Sequence, residues 1–135
     1  MPIVTEYGGS GPRDMTQEQT RVASYVVAGI LQLNFMFIHV LFDPGVTHSF
    51  VANKLVGGLG RNPCRIENEF IISTPLSETM NIDHMYKRVQ INIGGCELKV
   101  DLLPLEIHDF DVILGMDWLS MNKAQMDRFT KTVTL

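Results

Sequence analysis

The sequence predicts a mainly β domain with a barrel-like arrangement of strands. Three observations support this fold class: many short segments are apolar and β-branched, frequent Gly, Pro and Asn turns separate them, and only two short stretches have helical spacing. The 135 residues are a usual length for one domain, and 45% of them are hydrophobic, so a single core is expected.

The folded domain is predicted to begin after a polar N-terminal segment. Residues 7–14, YGGSGPRD, are rich in Gly, Ser and Pro, a composition typical of linkers. We therefore assign residues 1–21 to a linker or flexible segment and residues 22–135 to the domain.

The first part of the domain is expected to hold a hairpin followed by a short helix. Residues 24–33 and 35–42 are apolar and β-branched, with a turn near Leu33 and Asn34. Ser49 is expected to cap a helix that runs from Phe50 to Leu55, with glycines just after its end.

The second part is expected to contain more strands and one helical turn. Residues 69–74 and 85–93 flank a polar segment, which predicts a long hairpin with an exposed tip at residues 75–84. The remaining elements are a strand over residues 96–103 after a Gly-Gly turn, a short apolar strand over 111–114 that ends at Gly115, a helical turn over 116–121 and a terminal strand over 130–135.

Charge and cysteine content limit the possible partners and location. The formal charge is −4, and the charged residues are interspersed along the chain, so no basic face is available for direct nucleic-acid binding. Only Cys64 and Cys96 are present, which favours a reducing compartment over a secreted disulfide framework. The N-terminus lacks a signal-peptide pattern and the apolar run FMFIHVLF is too short to span a bilayer. We expect a soluble, intracellular, cytoplasmic domain without membrane association.

The stretch LFDPGVTHSF, residues 41–50, raises the main functional question. Asp43 followed by Pro and Gly is favoured β-turn chemistry, because Pro fixes φ and Gly relaxes the steric limits of the turn. However, Asp43 lies at the end of an apolar strand, where its carboxylate could be buried. An unpaired buried carboxylate is costly. Asp43 is therefore either a plain turn residue or part of a catalytic site.

Two blocks resemble the retropepsin-like aspartic proteases of gypsy-type LTR retrotransposons, especially the plant ones. LFDPGVTHSF is similar to the family's apolar strand ending in Asp-Ser/Thr-Gly-Ala, and HDFDVILGMDWL, residues 108–119, is similar to its apolar-apolar-Gly element. The intervening STPLSETM, residues 73–80, resembles the family's flap. The resemblance covers residues 22–135 and implies a closed β-barrel of the acid-protease type with one or two short helices.

The resemblance also implies roles for individual residues. Asp43 is the expected catalytic residue, Pro44 and Gly45 complete the catalytic loop, and Gly115 is the structural glycine beneath it. The expected substrate-binding residues are Val46, Thr47, His48, Ser73, Thr74, Pro75, Leu76, Ile113 and Leu114. Asp109, Asp111 and Asp117 are interpreted as solvated carboxylates, and no metal site is assigned because the histidines and cysteines lack ligand spacing.

The implied enzyme is a homodimer that acts on an extended peptide or polyprotein. One chain supplies one catalytic aspartate, so a working site needs two copies of Asp43 around a two-fold axis. The two carboxylates share a proton and activate a water, and no metal or organic cofactor is required.

Two residues depart from the family pattern. Pro44 replaces its Ser or Thr, and Val46 replaces its usual Ala. Proline has neither a hydroxyl nor an N–H to offer, so impaired catalysis is expected. Two alternatives stay open: an inactive descendant that dimerises or binds peptides, and a small β-barrel that binds an apolar ligand with Asp43 in a plain turn.

Overall fold

The computed structural model describes residues 2–4, 26–73, 79–127 and 129–135. The strands are β1 (Pro2–Val4), β2 (Val27–Leu33), β3 (Met36–Phe42), β4 (Phe50–Ala52), β5 (Cys64–Ser73), β6 (Thr79–Ile93), β7 (Cys96–Leu105), β8 (Val112–Leu114), β9 (Gln125–Asp127) and β10 (Thr132–Thr134). The helices are a 3-10 helix over Asn53–Gly58 and the helix α1 over Met116–Met121.

Six strands form a closed barrel. Hydrogen-bonded neighbours follow the order β2-β3-β8-β4-β7-β6, and β6 pairs again with β2 to close the ring. The pairs β3–β8 and β4–β7 are parallel, whereas the other neighbours in the ring are antiparallel. The mainly β, closed-barrel fold predicted from the sequence, with two short helices, is confirmed.

The hairpin β2–β3 shows how the sequence pattern becomes the barrel wall. Alternate residues of β2 are buried, from Val27 to Leu33, as expected for a strand with one face on the core. The turn lies at Asn34 and Phe35, one residue later than predicted, and both residues have positive φ angles of 53° and 76°. Positive φ at both central positions matches the twist of a tight hairpin, as in a type I′ turn.

The predicted hairpin in the second half is confirmed, although its strands are longer than expected. β5 and β6 pair antiparallel up to Ser73 and Thr79, and β5 lies outside the closed ring, on the far side of β6. Residues 75–78 of the predicted tip lie outside the described residues, whereas residues 79–84 belong to β6, so this part of the tip prediction is wrong.

The helix predicted from Phe50 is wrong at its start. Phe50, Val51 and Ala52 form β4, and all three are buried because β4 lies between β7 and β8. Pairing on both sides overrides the helical spacing of the apolar residues. The 3-10 helix begins only at Asn53, and no side chain caps it.

A small antiparallel sheet, in the order β1-β10-β9, has no strand pairing with the barrel but contributes Val133 to the main core. β10 confirms the predicted terminal strand in shortened form, whereas β9 was not predicted. β1 falls in the segment assigned to a linker, so at Pro2–Val4 the backbone is instead paired with Thr132–Thr134. Residues 5–25 lie outside the described residues, so the boundary near residue 21 stays a prediction.

The main core fills the barrel and extends under α1. Phe42 is fully buried and its ring lies 6.1 Å from that of Trp118, which is also buried. A second, smaller apolar cluster contains Phe50, Ile82 and Leu103. Within the described part of the chain, no helix is long and apolar enough to cross a membrane.

Candidate active site

Asp43 lies directly after β3, where the barrel places it beside the end of β8. The two strands are parallel and pair Phe42 with Leu114, so both run out at the same edge of the barrel. The backbone N–H of Asp43 then donates a 2.9 Å hydrogen bond to the carbonyl oxygen of Leu114. The apolar pattern of two distant segments therefore fixes the position at which the carboxylate leaves the core.

The chain turns immediately after Asp43. The Val46 N–H points back to the Asp43 carbonyl at 3.4 Å, and the Gly45 N–H donates a 2.8 Å hydrogen bond to Oδ1 of Asp43. A side chain at Gly45 would place its Cβ 3.0 Å from that same oxygen, so glycine leaves room for the carboxylate. The favoured turn chemistry and the strand-end placement thus occur together.

Gly115 supports the loop from below. The backbone N–H groups of Met116 and Asp117 donate to the carbonyl oxygens of Val46 and Thr47, at 2.8 and 3.1 Å. These bonds bring the loop so close that a Cβ on Gly115 would overlap the carbonyl of His48. Close backbone approach, rather than a positive φ, is the reason for glycine here.

A buried hydroxyl ties the loop to the start of α1. Ser49 is 0% exposed, and its Oγ accepts a 3.0 Å bond from the Gly115 N–H while donating a 2.7 Å bond to Oδ1 of Asp117. The same Oδ1 accepts the N–H of Trp118 at 2.7 Å. Ser49 therefore does not cap a helix, contrary to the expectation from the sequence. Asp117 is exposed in the first turn of α1, as expected, and its Oδ1 also accepts these two hydrogen bonds.

Asp111 is likewise engaged in the fold. Its Oδ2 accepts the N–H of His39 at 2.8 Å, and its own N–H donates to the His39 carbonyl at 2.9 Å. Its carbonyl accepts the N–H of Ala52 at 2.8 Å, and Lys54 approaches Oδ1 at 3.8 Å. The expectation of a solvated carboxylate is wrong for Asp111, because this residue bridges three segments; Asp109 is exposed.

The predicted substrate-binding residues beside the loop lie at a partly open apolar surface. Val46 and Ile113 are half-buried against the small cluster around Phe50, together with Phe70 from β5. The ring of His48 meets that of Phe70 edge-on at 4.5 Å between centroids, and its Nδ1 lies 2.9 Å from the exposed Thr47 hydroxyl. Val46, Thr47, His48 and Ile113 therefore share one face next to Asp43.

The remaining predicted contacts divide into two groups. Leu114 is 0% exposed in the barrel core, on the opposite face of β8 from Ile113, so its side chain is not available to a substrate in this structure. Ser73 lies in β5 and pairs with Thr79, whereas Thr74, Pro75 and Leu76 lie outside the described residues.

Pro44 is exposed and faces the small terminal sheet. It lines a cavity of about 700 Å³ together with residues of β9, β10 and the turn between them. No sequence pattern indicated this proximity, because β9 was not predicted. Among the described residues, no group of three or more His, Cys, Asp or Glu side chains is placed to hold a metal ion.

Comparison with known proteins agrees with this geometry. Residues 13–135 match the family model described as retroviral aspartyl protease, and the chain belongs to that family. A search of curated proteins gives no match.

Two solved structures are similar in fold. The retroviral protease-like domain of Ddi1 from Leishmania major aligns with a TM-score of 0.63 and 14% identity, covering 82% of this chain and 87% of that one. EIAV protease, in complex with the inhibitor HBY-793, aligns with a TM-score of 0.57 and 21% identity, covering 74% and 90%. At these identities the likeness shows the retropepsin-like fold.

Proposed function

We propose that this chain is an aspartic endopeptidase domain whose active site forms from two copies, each contributing Asp43. The observation that carries the proposal is the placement of Asp43. Its backbone is held by Leu114, its carboxylate is held by the Gly45 N–H, and the loop rests on Gly115. In a retroviral aspartyl protease, this is the arrangement expected of the catalytic loop.

Electrostatics explains why two copies are needed. Two carboxylates about 3 Å apart repel by roughly 5 kcal/mol at an effective dielectric near 20, which corresponds to about four pK units. They do not both ionise near neutral pH, so the pair holds one proton, and its two apparent pKa values belong to the dyad as a whole. A single chain lacks this chemistry.

Because the pair holds one proton, one Asp43 acts as the general base and the other as the general acid. The ionised Asp43 takes a proton from a bound water, which attacks the scissile carbonyl carbon. The protonated Asp43 of the second copy donates a hydrogen bond to the carbonyl oxygen as negative charge develops there. Proton transfer to the nitrogen then allows the C–N bond to break, giving an acid and an amine, and no metal or cofactor takes part.

The substrate is an extended peptide. The half-buried surface of Val46 and Ile113 beside Asp43 supports apolar side-chain recognition, and His48 with Phe70 borders it. Residues 73–80 are proposed to close over the peptide as a flap, which adds strand-like hydrogen bonds and excludes water. The proposed setting is a retrotransposon polyprotein that the domain processes, supported by the resemblance of LFDPGVTHSF and HDFDVILGMDWL to that group.

Pro44 is expected to reduce turnover. A Ser or Thr hydroxyl at this position braces the two loops across the dimer axis in the family, and each lost hydrogen bond is worth about 1 kcal/mol net. A displacement of about 1 Å at reacting groups costs on the order of a hundredfold in rate. The parent chain should therefore cleave slowly, whereas a Pro44→Thr variant should cleave faster.

A cleavage assay on a peptide panel at mildly acidic pH tests the function. The set comprises the parent, Pro44→Thr, and Pro44→Thr combined with Asp43→Asn. We expect activity in the order Pro44→Thr, then parent, with none in the Asp43→Asn variant. Equal cleavage with and without Asp43 would rule out the proposed chemistry.

The second candidate is an inactive module that keeps the dimer and the peptide groove without turnover. Pro44 favours an inactive module, because it lacks the hydroxyl that would link the two loops across the dimer axis, whereas Asp43 and Gly45 of the loop are kept. A dimer that binds peptides but shows no cleavage in either the parent or Pro44→Thr would identify this module.

A further inference from the structure

A cavity of about 270 Å³ lies between α1 and the paired strands β6 and β7. Val100 and Trp118 line it with buried apolar side chains, 4% and 2% exposed, and Met121 lines it from a position that is 79% exposed. None of residues 43–49 lines it, so this cavity is distinct from the loop that carries Asp43. Pockets for drug-sized molecules begin at about 300 Å³, so this slightly smaller volume suits a ligand with a single aromatic ring.

Trp118 contributes a hydrogen-bond donor that has no acceptor in the described part of the chain. Its indole Nε1 is buried, and no hydrogen-bond partner lies within reach there. Buried tryptophan N–H groups usually have a partner, because an unpaired buried donor is costly. An acceptor that enters the cavity beside this ring would satisfy the donor.

Arg88 lines the cavity from a bulge in β6. The pairing of β6 with β7 changes register between Tyr86 and Val89, and Arg88 has a φ of 55°, in the left-handed region that non-glycine residues rarely adopt. The Arg88 N–H donates a 2.8 Å hydrogen bond to Oδ1 of Asp101, which also lines the cavity. Bulges redirect the side chains that they carry, and here the redirected side chain is a cation beside an apolar cavity.

The other charged residues around the cavity already have partners. Asp101 accepts the Arg88 N–H, Asp117 accepts the two bonds described above, and Lys99 donates to a glutamine side chain of β6 at 3.1 Å. The guanidinium of Arg88, in contrast, forms no ion pair with any residue that the structure describes. The groups left to recognise a ligand are therefore two donors, this guanidinium and the indole N–H of Trp118.

We propose that this cavity binds a small aromatic carboxylate. The ring packs against Val100, Trp118 and Met121, since aromatic rings and the methionine sulfur both make favourable contacts with an aromatic ligand. The carboxylate accepts hydrogen bonds from Arg88, whose planar guanidinium matches a carboxylate with two parallel bonds, and provides an oxygen for the indole N–H. The site is independent of the proposed pair of Asp43 side chains.

Titration of the ¹⁵N-labelled full chain with 3-phenylpropionate tests the site by NMR. Trp118 is the only tryptophan, so the spectrum contains a single indole N–H signal that reports on the cavity. We expect this signal to move downfield and to saturate, with a dissociation constant on the order of 1 mM for a ligand of this size. The uncharged analogue 3-phenylpropanol should bind about tenfold more weakly or worse, because it lacks the charge that pairs with Arg88.

Matched variants test the role of Arg88. Arg88→Gln should raise the dissociation constant about tenfold, whereas Lys87→Gln removes the neighbouring positive charge, which does not line the cavity, and should leave the constant within about twofold. Met121→Ala changes an exposed wall residue and should weaken binding of the ring several-fold, which gives a second test at a position where the fold is not at risk.

Three results would overturn the proposal. They are an indole signal that does not move, equal constants for Arg88→Gln and Lys87→Gln, and equal binding of the carboxylate and the alcohol. Cleavage that depends on Asp43 is measured separately, so the loss of this site would leave the proposed function untouched.

Discussion

The buried hydroxyl of Ser49 donates a 2.7 Å hydrogen bond to the carboxylate of Asp117, 68 residues further along the chain. This bond joins the end of the loop that follows Asp43 to the first turn of α1. It is one of the contacts that fix the loop in front of Gly115, and it gives a direct prediction.

Ser49→Ala should lower the free energy of unfolding by about 1–3 kcal/mol, because the buried Gly115 N–H then loses its acceptor. Urea unfolding measures this change. Thr47→Ala is the matched control in the same loop, since its hydroxyl is exposed and its loss should cost about 0.5 kcal/mol or less. Equal losses in the two variants would contradict the role of the buried bond.

Gly115→Ala should destabilise the chain by about 3 kcal/mol or more, because the added Cβ meets backbone rather than a movable side chain. Gly57→Ala is the control. A Cβ at Gly57 meets no atom within 4 Å, so that variant should change the free energy of unfolding by no more than about 1 kcal/mol. Thermal and urea unfolding compare the two, and a Gly115→Ala protein as stable as Gly57→Ala would show that the loop moves freely.

Phe35→Gly should stabilise the hairpin turn. A left-handed φ costs a non-glycine residue about 1–2 kcal/mol, and the extra entropy lost by glycine is about 0.5–1 kcal/mol, so a net gain of about 0.5–1 kcal/mol is expected. Phe35→Ala keeps the backbone penalty while removing the exposed ring. If Phe35→Ala stabilises as much as Phe35→Gly, the gain comes from the ring and not from the backbone.

The Asp127 carboxylate should make the terminal hairpin sensitive to acid. The backbone N–H groups of Thr130 and Phe129 hold the pKa of Asp127 below its usual range, because they favour the charged form. A carboxylate whose pKa is lower in the folded state stabilises that state at pH values above its ordinary pKa of about 3.9. This stabilisation is lost as the pH falls through the lower, folded-state pKa.

Asp127→Asn is therefore expected to lose hairpin stability at pH 5 to 7 and to differ progressively less from the parent as the pH falls below the ordinary value of about 3.9. Hydrogen exchange at Phe129 and Thr130 measures the hairpin directly. A parent-to-variant difference that grows on acidification would contradict the sign of this linkage.

The sequence predicted most strands and hairpins because their signals are local, whereas closure of the barrel was implied by the family resemblance. Alternating burial in β2, the Asn34 turn and the Gly94-Gly95 turn are each visible within a few neighbouring residues. Short elements were less predictable. β4 is a run of three apolar residues that fits a helix equally well, and β9 alternates between exposed and partly buried residues over only three positions, too few to distinguish a strand from a loop.

The candidate site was predicted only in part, because some of its contacts are visible in local sequence blocks and others join distant residues. The neighbourhood of Asp43 and Gly115 follows from two recognisable blocks, but the Ser49–Asp117 bond joins residues too distant for any local pattern to pair. Leu114 was wrongly predicted to contact the substrate. Adjacent strand residues point to opposite faces, so Leu114 lies in the core and only Ile113 lies on the face beside Asp43. The cavity beside Pro44 could not be predicted from the sequence, because its other lining residues belong to the distant β9–β10 hairpin.

Two Asp43 side chains, one from each copy, are proposed to act together, and a mixing experiment tests this cooperation. Increasing amounts of the Pro44→Thr protein that also carries Asp43→Asn are added to a fixed amount of Pro44→Thr protein under dimerising conditions, and peptide cleavage is followed. Mixed dimers contain one Asp43 carboxylate, so activity should fall toward zero as they replace the active homodimer. Activity that stays constant as Asp43→Asn chains enter the dimers would contradict a shared dyad.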